Sequence, residues 1–146
     1  MTKEEKELLL KDLSARLPYG LKVECEKYPF PVTVLYAGNI DEVKFVETGG
    51  IEHICLIKPY LRPMSSMTEE ERKELSKILN YEFYVDDDFA LVAEDDRHRI
   101  RIELCEGYMD WLNAHHFDYR IDPSTGKTLI ESNLAIEAPK DMYKTE

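Results

Sequence analysis

The sequence predicts one α+β domain spanning residues 1–146: an N-terminal helix, a small antiparallel, partly barrel-like sheet, and a helical C-terminal half. Three observations carry this. Leu8, Leu9, Leu10, Leu13 and Leu17 recur at helical spacing. Between residues 21 and 60, short runs of alternating polarity with two glycine-marked turns suggest a meander of hairpins. From His98 to Ala114, Ile100, Leu104, Cys105, Tyr108, Trp111 and Leu112 return to the helical period. The domain divides into a helix plus sheet over 1–64 and a mainly helical, acidic half over 65–146.

The first helix has a capping box at Thr2 and Glu5, acidic residues in its first turn where they favour the helix dipole, and Pro18 and Gly20 to stop it. Leu21–Cys25, Val32–Ala37, Val43–Glu47 and Ile51–Ile57 read as four strands, with turns at Gly38-Asn39 and Gly49-Gly50. Pro29 and Pro31 belong at an edge or bulge. Lys58 to Met67 reads as an extended connector that ends the sheet, because Pro59 and Pro63 remove two ladder donors. Thr68 and Glu71 form a second capping box, opening a helix whose thin apolar face, Leu75, Ile78 and Leu79, suits peripheral packing. Residues 81–97 read as strand–turn–strand across Asp86-Asp87-Asp88 in preference to a broken helix, and the alternation of Arg99 to Leu104 leaves the start of the next segment open to a strand. After the tryptophan helix, Asp122-Pro-Ser-Thr-Gly makes a turn, and a short helix at Leu129–Leu134 leads to Pro139 and a polar tail.

Composition narrows the function. Thirty acidic against nineteen basic residues give a net charge of −11, of which residues 61–146 carry −9. A chain that neutralises phosphates needs a basic face, so direct nucleic-acid binding is disfavoured. The same field repels anionic membranes and attracts a basic protein partner. No apolar run approaches the roughly 18 residues of a membrane span. Met1-Thr-Lys-Glu-Glu-Lys-Glu lacks an apolar leader region, so a cytoplasmic location is expected. Cys25, Cys55 and Cys105 are odd in number with no close pair, which favours reduced, mostly buried thiols over a disulfide framework or a zinc ribbon.

Several motifs invite a chemical reading. Gly126-Lys127-Thr128 ends like a phosphate-binding loop, but Ile121 stands where the earlier glycine is needed. The acids from Asp86 onward fail a calcium loop, with Leu91 sixth and Arg97 twelfth. His115, His116 and Asp118 could supply metal ligands, although no third ligand pair accompanies them and no metal or other cofactor is assigned. The expected roles are structural, with one histidine carrying charge at the helix C-terminus and the other packed on an aromatic ring. No catalytic constellation is assigned, and the chain is expected not to be an enzyme.

Four blocks carry a resemblance: Ala15-Arg-Leu-Pro-Tyr-Gly, Lys58-Pro-Tyr-Leu-Arg-Pro-Met-Ser-Ser-Met-Thr-Glu-Glu-Glu, Asp110-Trp-Leu-Asn-Ala-His-His-Phe-Asp-Tyr-Arg and Leu129-Ile-Glu-Ser-Asn-Leu-Ala-Ile-Glu-Ala-Pro. In these the chain resembles a family of small uncharacterised proteins encoded by phages, plasmids and integrated mobile elements of gut Bacteroides-type bacteria. Family members run almost directly from the third block into the fourth, whereas here Ile121 to Thr128 intervene. The resemblance implies a bacterial host cytoplasm and an accessory role, and it brings no catalytic residues.

The leading expectation is a non-enzymatic protein-interaction protein of a phage or mobile element. Its candidate surface is the aromatic and basic edge of Tyr60, Arg62, Trp111, His115, His116, Tyr119 and Arg120. One alternative is an acidic nucleic-acid mimic that inhibits a host nucleic-acid-binding or defence enzyme. Another is a metal-dependent hydrolytic enzyme using His115, His116 and Asp118. The partner would be a host- or element-encoded protein, and an unpaired sheet edge could support a homodimer.

Overall fold

The computed structural model describes residues 2–38, 42–79, 83–85, 91–93, 106–122 and 125–143. Helix α1 (Lys3–Arg16) begins at the expected capping box, with Thr2 Oγ1 accepting from the Glu5 N–H at 3.1 Å and Glu5 returning to the Thr2 N–H. Leu9 and Leu13 are fully buried, contributing about 2 kcal/mol each. One turn round the helix, Asp12 and Arg16 are fully buried as well. A 3₁₀ turn at Leu17–Tyr19 and the left-handed Gly20 (φ 68°) end the element.

The sheet is built on strands β1 (Lys22–Cys25), β2 (Val32–Gly38), β3 (Glu42–Phe45), β4 (Ile51–His53) and β5 (Ile57–Pro63). Their order is β4-β3-β2-β1-β5, all antiparallel. Two short strands, β8 (Phe117–Asp118) and β9 (Ile136–Glu137), then join β5 in parallel, so the sheet is mixed and open rather than barrel-like. The 58–63 segment is therefore not a connector but the hub strand. Its prolines are tolerated by register. Pro59 stands where pairing with β1 ends (Val23↔Pro59) and just before pairing with β9 begins (Tyr60↔Ile136), and Pro63 is the last residue.

Helix α2 (Glu69–Leu79) starts at the second capping box, Thr68 to Glu71. Its Leu75 is fully buried, so this helix contributes to a core rather than resting at the periphery. Strands β6 (Phe83–Val85) and β7 (Leu91–Ala93) pair antiparallel, as the strand–turn–strand reading expects. Helix α3 covers Glu106–Ala114, while the earlier part of the 98–114 segment, Cys105 included, lies outside the described residues, as do the Asn39 turn and the acids at 86–88 and 94–96. Residues 129–134 form turns instead of the expected helix. The Asp118 carboxylate takes their first N–H groups, from Leu129 (3.2 Å) and Ile130 (2.9 Å), and Asn133 adopts a left-handed φ of 61°. Of the two described cysteines, Cys25 is buried, and Cys55 is exposed, contrary to the expectation for its apolar surroundings.

Among the described residues, two clusters of buried side chains result. The larger lies between α1 and the β1–β5 sheet, and includes Leu9, Leu13, Val23, Val34, Phe45 and Leu61. The smaller joins α2 and α3 through Met64, Leu75, Trp111, Leu112, Phe117 and Tyr119. The C-terminal tail closes over the junction. Tyr143 Oη donates to the Tyr60 carbonyl at 2.7 Å and accepts from the Lys22 N–H at 3.1 Å, tying β5 to β1. Burial pushes this phenol well above its ordinary pKa. Replacing Tyr143 with phenylalanine leaves those backbone groups without their partner. The expected loss is about 1–3 kcal/mol, read from urea unfolding, with earlier proteolytic cutting near residue 139.

Candidate functional site

The sequence-predicted residues converge where α1, α3, β5 and β8 meet, and most of them are occupied there with packing. Trp111, His116 and Tyr119 are each no more than 8% exposed. Tyr60 lies half-buried on β5, and Arg62, His115 and Arg120 are partly buried.

Two networks organise the junction. In the first, the Asp12 carboxylate receives Arg16 Nε and Arg120 Nε, one on each oxygen, both at 3.0 Å. Arg16 Nη2 also donates to the Phe117 carbonyl, joining α1 to β8 across a sequence separation of 101 residues. Arg120 Nη2 reaches Tyr119 Oη (3.1 Å), which donates to Asn113 Oδ1 (2.9 Å), and both guanidiniums lie over the Tyr119 ring. In the second, Arg62 grips Glu71 with two bonds of 2.7 and 2.6 Å and sits 4.3 Å over the Phe117 ring. His115 Nδ1 approaches the same carboxylate at 3.4 Å, and Trp111 Nε1 donates to Glu74. Burial alone would raise the Glu71 pKa. The bonds from Arg62 and Thr68 outweigh it and hold the carboxyl at about 2.

The two histidines part company at the end of α3. His115 stacks on Trp111 with centroids 4.1 Å apart. His116 takes the left-handed conformation (φ 61°) that closes a helix, its N–H bonded to the Asn113 carbonyl. Its ring stacks on Tyr143 at 3.8 Å. Burial, then the charges of Arg16, His115 and Arg62, drives its pKa down to about 3 despite a hydrogen bond to the Tyr19 backbone. His116 therefore closes the helix end through its main chain and not as a cation, because an imidazole buried beside Arg16 and Arg62 stays neutral.

Asp118 does not turn towards the histidines. It holds the Leu129 and Ile130 amides, and burial raises its pKa to about 6 against the opposing effect of those bonds. Among the described residues, no group of three or more His, Cys, Asp or Glu side chains is placed to hold a metal ion. Nor do Gly126, Lys127 and Thr128 form a phosphate loop: Thr128 bridges back to Ile121, and its hydroxyl donates to Glu131.

Sequence reasoning missed the buried Asp12–Arg16 pair, the role of Glu71 as a shared acceptor, and the Tyr143 anchor. The i,i+4 spacing of Asp12 and Arg16 was a visible signal for an ion pair, though not for its burial.

A second region stands out for what it leaves uncovered. Residues Val43 and Phe45 of β3 face the core, so Lys44 faces outward, and in register it is flanked by Tyr36 of β2 and Ile51 of β4. Tyr36 and Ile51 are 41% and 50% exposed, and Leu35 of β2 and Val46 just after β3 are similarly open. Leu35 is exposed alongside its neighbour Tyr36 because the β2–β3 register shifts between Val34 and Tyr36. Among the described residues, no strand pairs with the outer edge of β4.

Comparison with family models, with curated proteins and with solved structures finds no match for this chain. No helix among the described residues is long and apolar enough to cross a membrane.

Proposed function

We propose that this chain is a non-enzymatic interaction protein that receives an extended, basic segment of a protein partner along the outer side of β4, centred on Ile51. The observation that carries this reading is the position of β4 at the end of the strand order among the described residues, beside the partly exposed Tyr36–Lys44–Ile51 row. A strand added there would gain main-chain hydrogen bonds and cover Ile51. The net charge of −11 favours a basic partner. A second copy fits less well, since antiparallel pairing centred on β4 sets Glu52 against Glu52. The setting in a phage or mobile element rests on the four sequence blocks described above.

The test is affinity capture from a bacterial lysate with wild type and with Ile51→Lys, followed by titration of the purified captured protein. Binding should fall at least tenfold in Ile51→Lys, and should survive Arg120→Lys, which lies at the opposite junction. Equal loss in both variants, or none in Ile51→Lys, removes the β4 surface. A salt series separates the acidic-mimic alternative, which predicts steep weakening as salt rises. An edge-strand contact should change little beyond the initial electrostatic attraction.

A further inference from the structure

The Tyr143 hydroxyl stands inside the β1–β5 ladder. Pairing between these strands runs Cys25↔Ile57, Glu24↔Lys58 and Val23↔Pro59, and stops there. Pro59 has no N–H, so Val23↔Pro59 is a pair that exchanges no bonds of its own. Such pairs alternate with bonded ones in an antiparallel ladder, so the next in register, Lys22 and Tyr60, is a bonded position. There the Lys22 N–H donates instead to Tyr143 Oη at 3.1 Å, and Oη donates to the Tyr60 carbonyl at 2.7 Å. The same Oη lies 3.3 Å from the Lys22 carbonyl. The phenol thus spans a rung that the register would close directly. Two residues further on, the Arg62 N–H donates to the His116 carbonyl at 2.8 Å, so the phenol sits at the seam where β5 passes from β1 to β8.

The segment that delivers the phenol is lightly held. The Ala138 N–H donates to the Leu61 carbonyl, and the chain then turns, with the Met142 N–H bonded to the Pro139 carbonyl. None of the residues from Ile136 to Tyr143 is fully buried, and residues 139–141 are exposed. Little apolar surface therefore resists departure of the tail, and segments of this kind open without unfolding the core. On its inner side Tyr143 stacks on the His116 ring at 3.8 Å. With Met142 it walls one side of a cleft of about 300 Å³ shared with Tyr19, Arg62 and Ala114.

We propose that residues 139–143 form a releasable strap, with Tyr143 Oη as an exchangeable rung of the β1–β5 ladder. In the docked arrangement the phenol bridges Lys22 to Tyr60. In the released arrangement the Lys22 N–H bonds the Tyr60 carbonyl directly, and the cleft loses the wall that Met142 and Tyr143 provide. The two arrangements are discrete, because the gap takes either the phenol oxygen or direct closure and not both. Main-chain groups are satisfied in each, which keeps the two close in free energy. Anything that binds the uncovered cleft must displace the strap, so the tail is a built-in competitor for that surface. The device is separate from the β4 surface and does not depend on it.

The test is amide hydrogen exchange and NMR of the full chain in wild type, Tyr143→Phe and Tyr143→Ala, with Lys22 protection measured relative to core amides. Phenylalanine keeps a ring in the gap but gives the Lys22 N–H no acceptor, so its protection should fall about tenfold or more. Alanine empties the gap, so the direct rung should form and hold Lys22 protection within about threefold of wild type. A coupling across the hydrogen bond, from the Lys22 nitrogen to the Tyr60 carbonyl carbon, should appear in Tyr143→Ala and be absent from wild type. A tail that is only an anchor predicts the reverse order, with alanine costing Lys22 at least as much protection as phenylalanine. That order, or unchanged Lys22 protection in both variants, overturns the proposal. The wild type gives a second reading that needs no variant to fold. Relaxation dispersion should report one common exchange rate at the Lys22 and Tyr60 amides and the His116 ring, and flat profiles at all three sites overturn release.

Discussion

Replacing Arg16 with methionine is expected to remove about 3–5 kcal/mol of folding stability, enough to unfold a large fraction of a marginal domain. Arg16 is the largest fully buried side chain among the described residues, and one of its partners, the Phe117 carbonyl, lies 101 residues away, so its loss cannot be repaired locally. Two groups would be left behind: one oxygen of the Asp12 carboxylate, itself fully buried, and the Phe117 carbonyl at the start of β8. Arg120 would still hold the other Asp12 oxygen, which limits the damage to less than a bare buried charge. Because the attraction of a buried pair is offset by desolvation of both ions, removing the partner as well should recover part of the loss. Urea unfolding of Arg16→Met, Asp12→Leu and the double variant checks this. The double variant should be less unstable than the two single losses added together, by 1 kcal/mol or more. Strict additivity would mean that Asp12 and Arg16 stabilise the fold through separate contacts, and the ion-pair account would fail.

The second large effect is on pH dependence, and it centres on His116. Its ordinary pKa of 6.5 is lowered to about 3 in the folded chain. Below pH 6.5 the unfolded chain takes up a proton that the folded chain refuses, so stability falls on acidification by about 1.4 kcal/mol per pH unit until pH 3. Asp118 works in the opposite sense. Its folded pKa of about 6 stands above the ordinary 3.8, so between those values the folded chain binds more protons and gains stability as pH falls. The two groups nearly cancel from pH 6 to 4. Glu71, held at about 2 against an ordinary 4.5, adds a stabilisation present above pH 4.5 and lost as pH falls towards 2. The wild type should therefore show a shallow decline, a plateau, and steep loss below about pH 4. In His116→Asn the Asp118 gain is unopposed, so its stability relative to wild type should rise by about 2 kcal/mol between pH 6.5 and 5. Denaturant unfolding of both proteins over this pH range measures the difference. Parallel curves would show that His116 titrates normally and is not buried as a neutral ring.

These effects mark where reading along the chain loses its reach. Local chemistry was legible. The Thr2 and Thr68 capping boxes are satisfied within four residues of chain, and the alternation of Val23, Val34, Val43 and Phe45 states which face of a strand is buried whatever the strand pairs with. The hub strand was not legible, because prolines at 59 and 63 read as interruptions until it is known which edge is paired at each position. The same applies to Leu129–Leu134, whose helix-like spacing gives way to turns once Asp118, eleven residues earlier, takes the first two amides.

The candidate site divides along the same line. A concentration of aromatic and basic residues between Trp111 and Arg120 is evident from the sequence, and the structure does gather them. Whether such residues face solvent or each other depends on what covers them. Here α1 supplies Arg16 and Asp12, β5 supplies Arg62, and the tail supplies Tyr143, all from distant parts of the chain. By itself the sequence determined the α+β class, the starts of α1 and α2, the inward faces of the strands and the acidic net charge, since these follow from neighbours within a turn or a strand. Only the tertiary structure decided that Asp12 and Arg16 are buried, that His116 is buried and neutral, and that β4 ends the strand order among the described residues. Burial and electrostatic environment belong to the fold as a whole, set by chain segments that meet across separations from 27 residues, for His116 and Tyr143, to 121, for Lys22 and Tyr143.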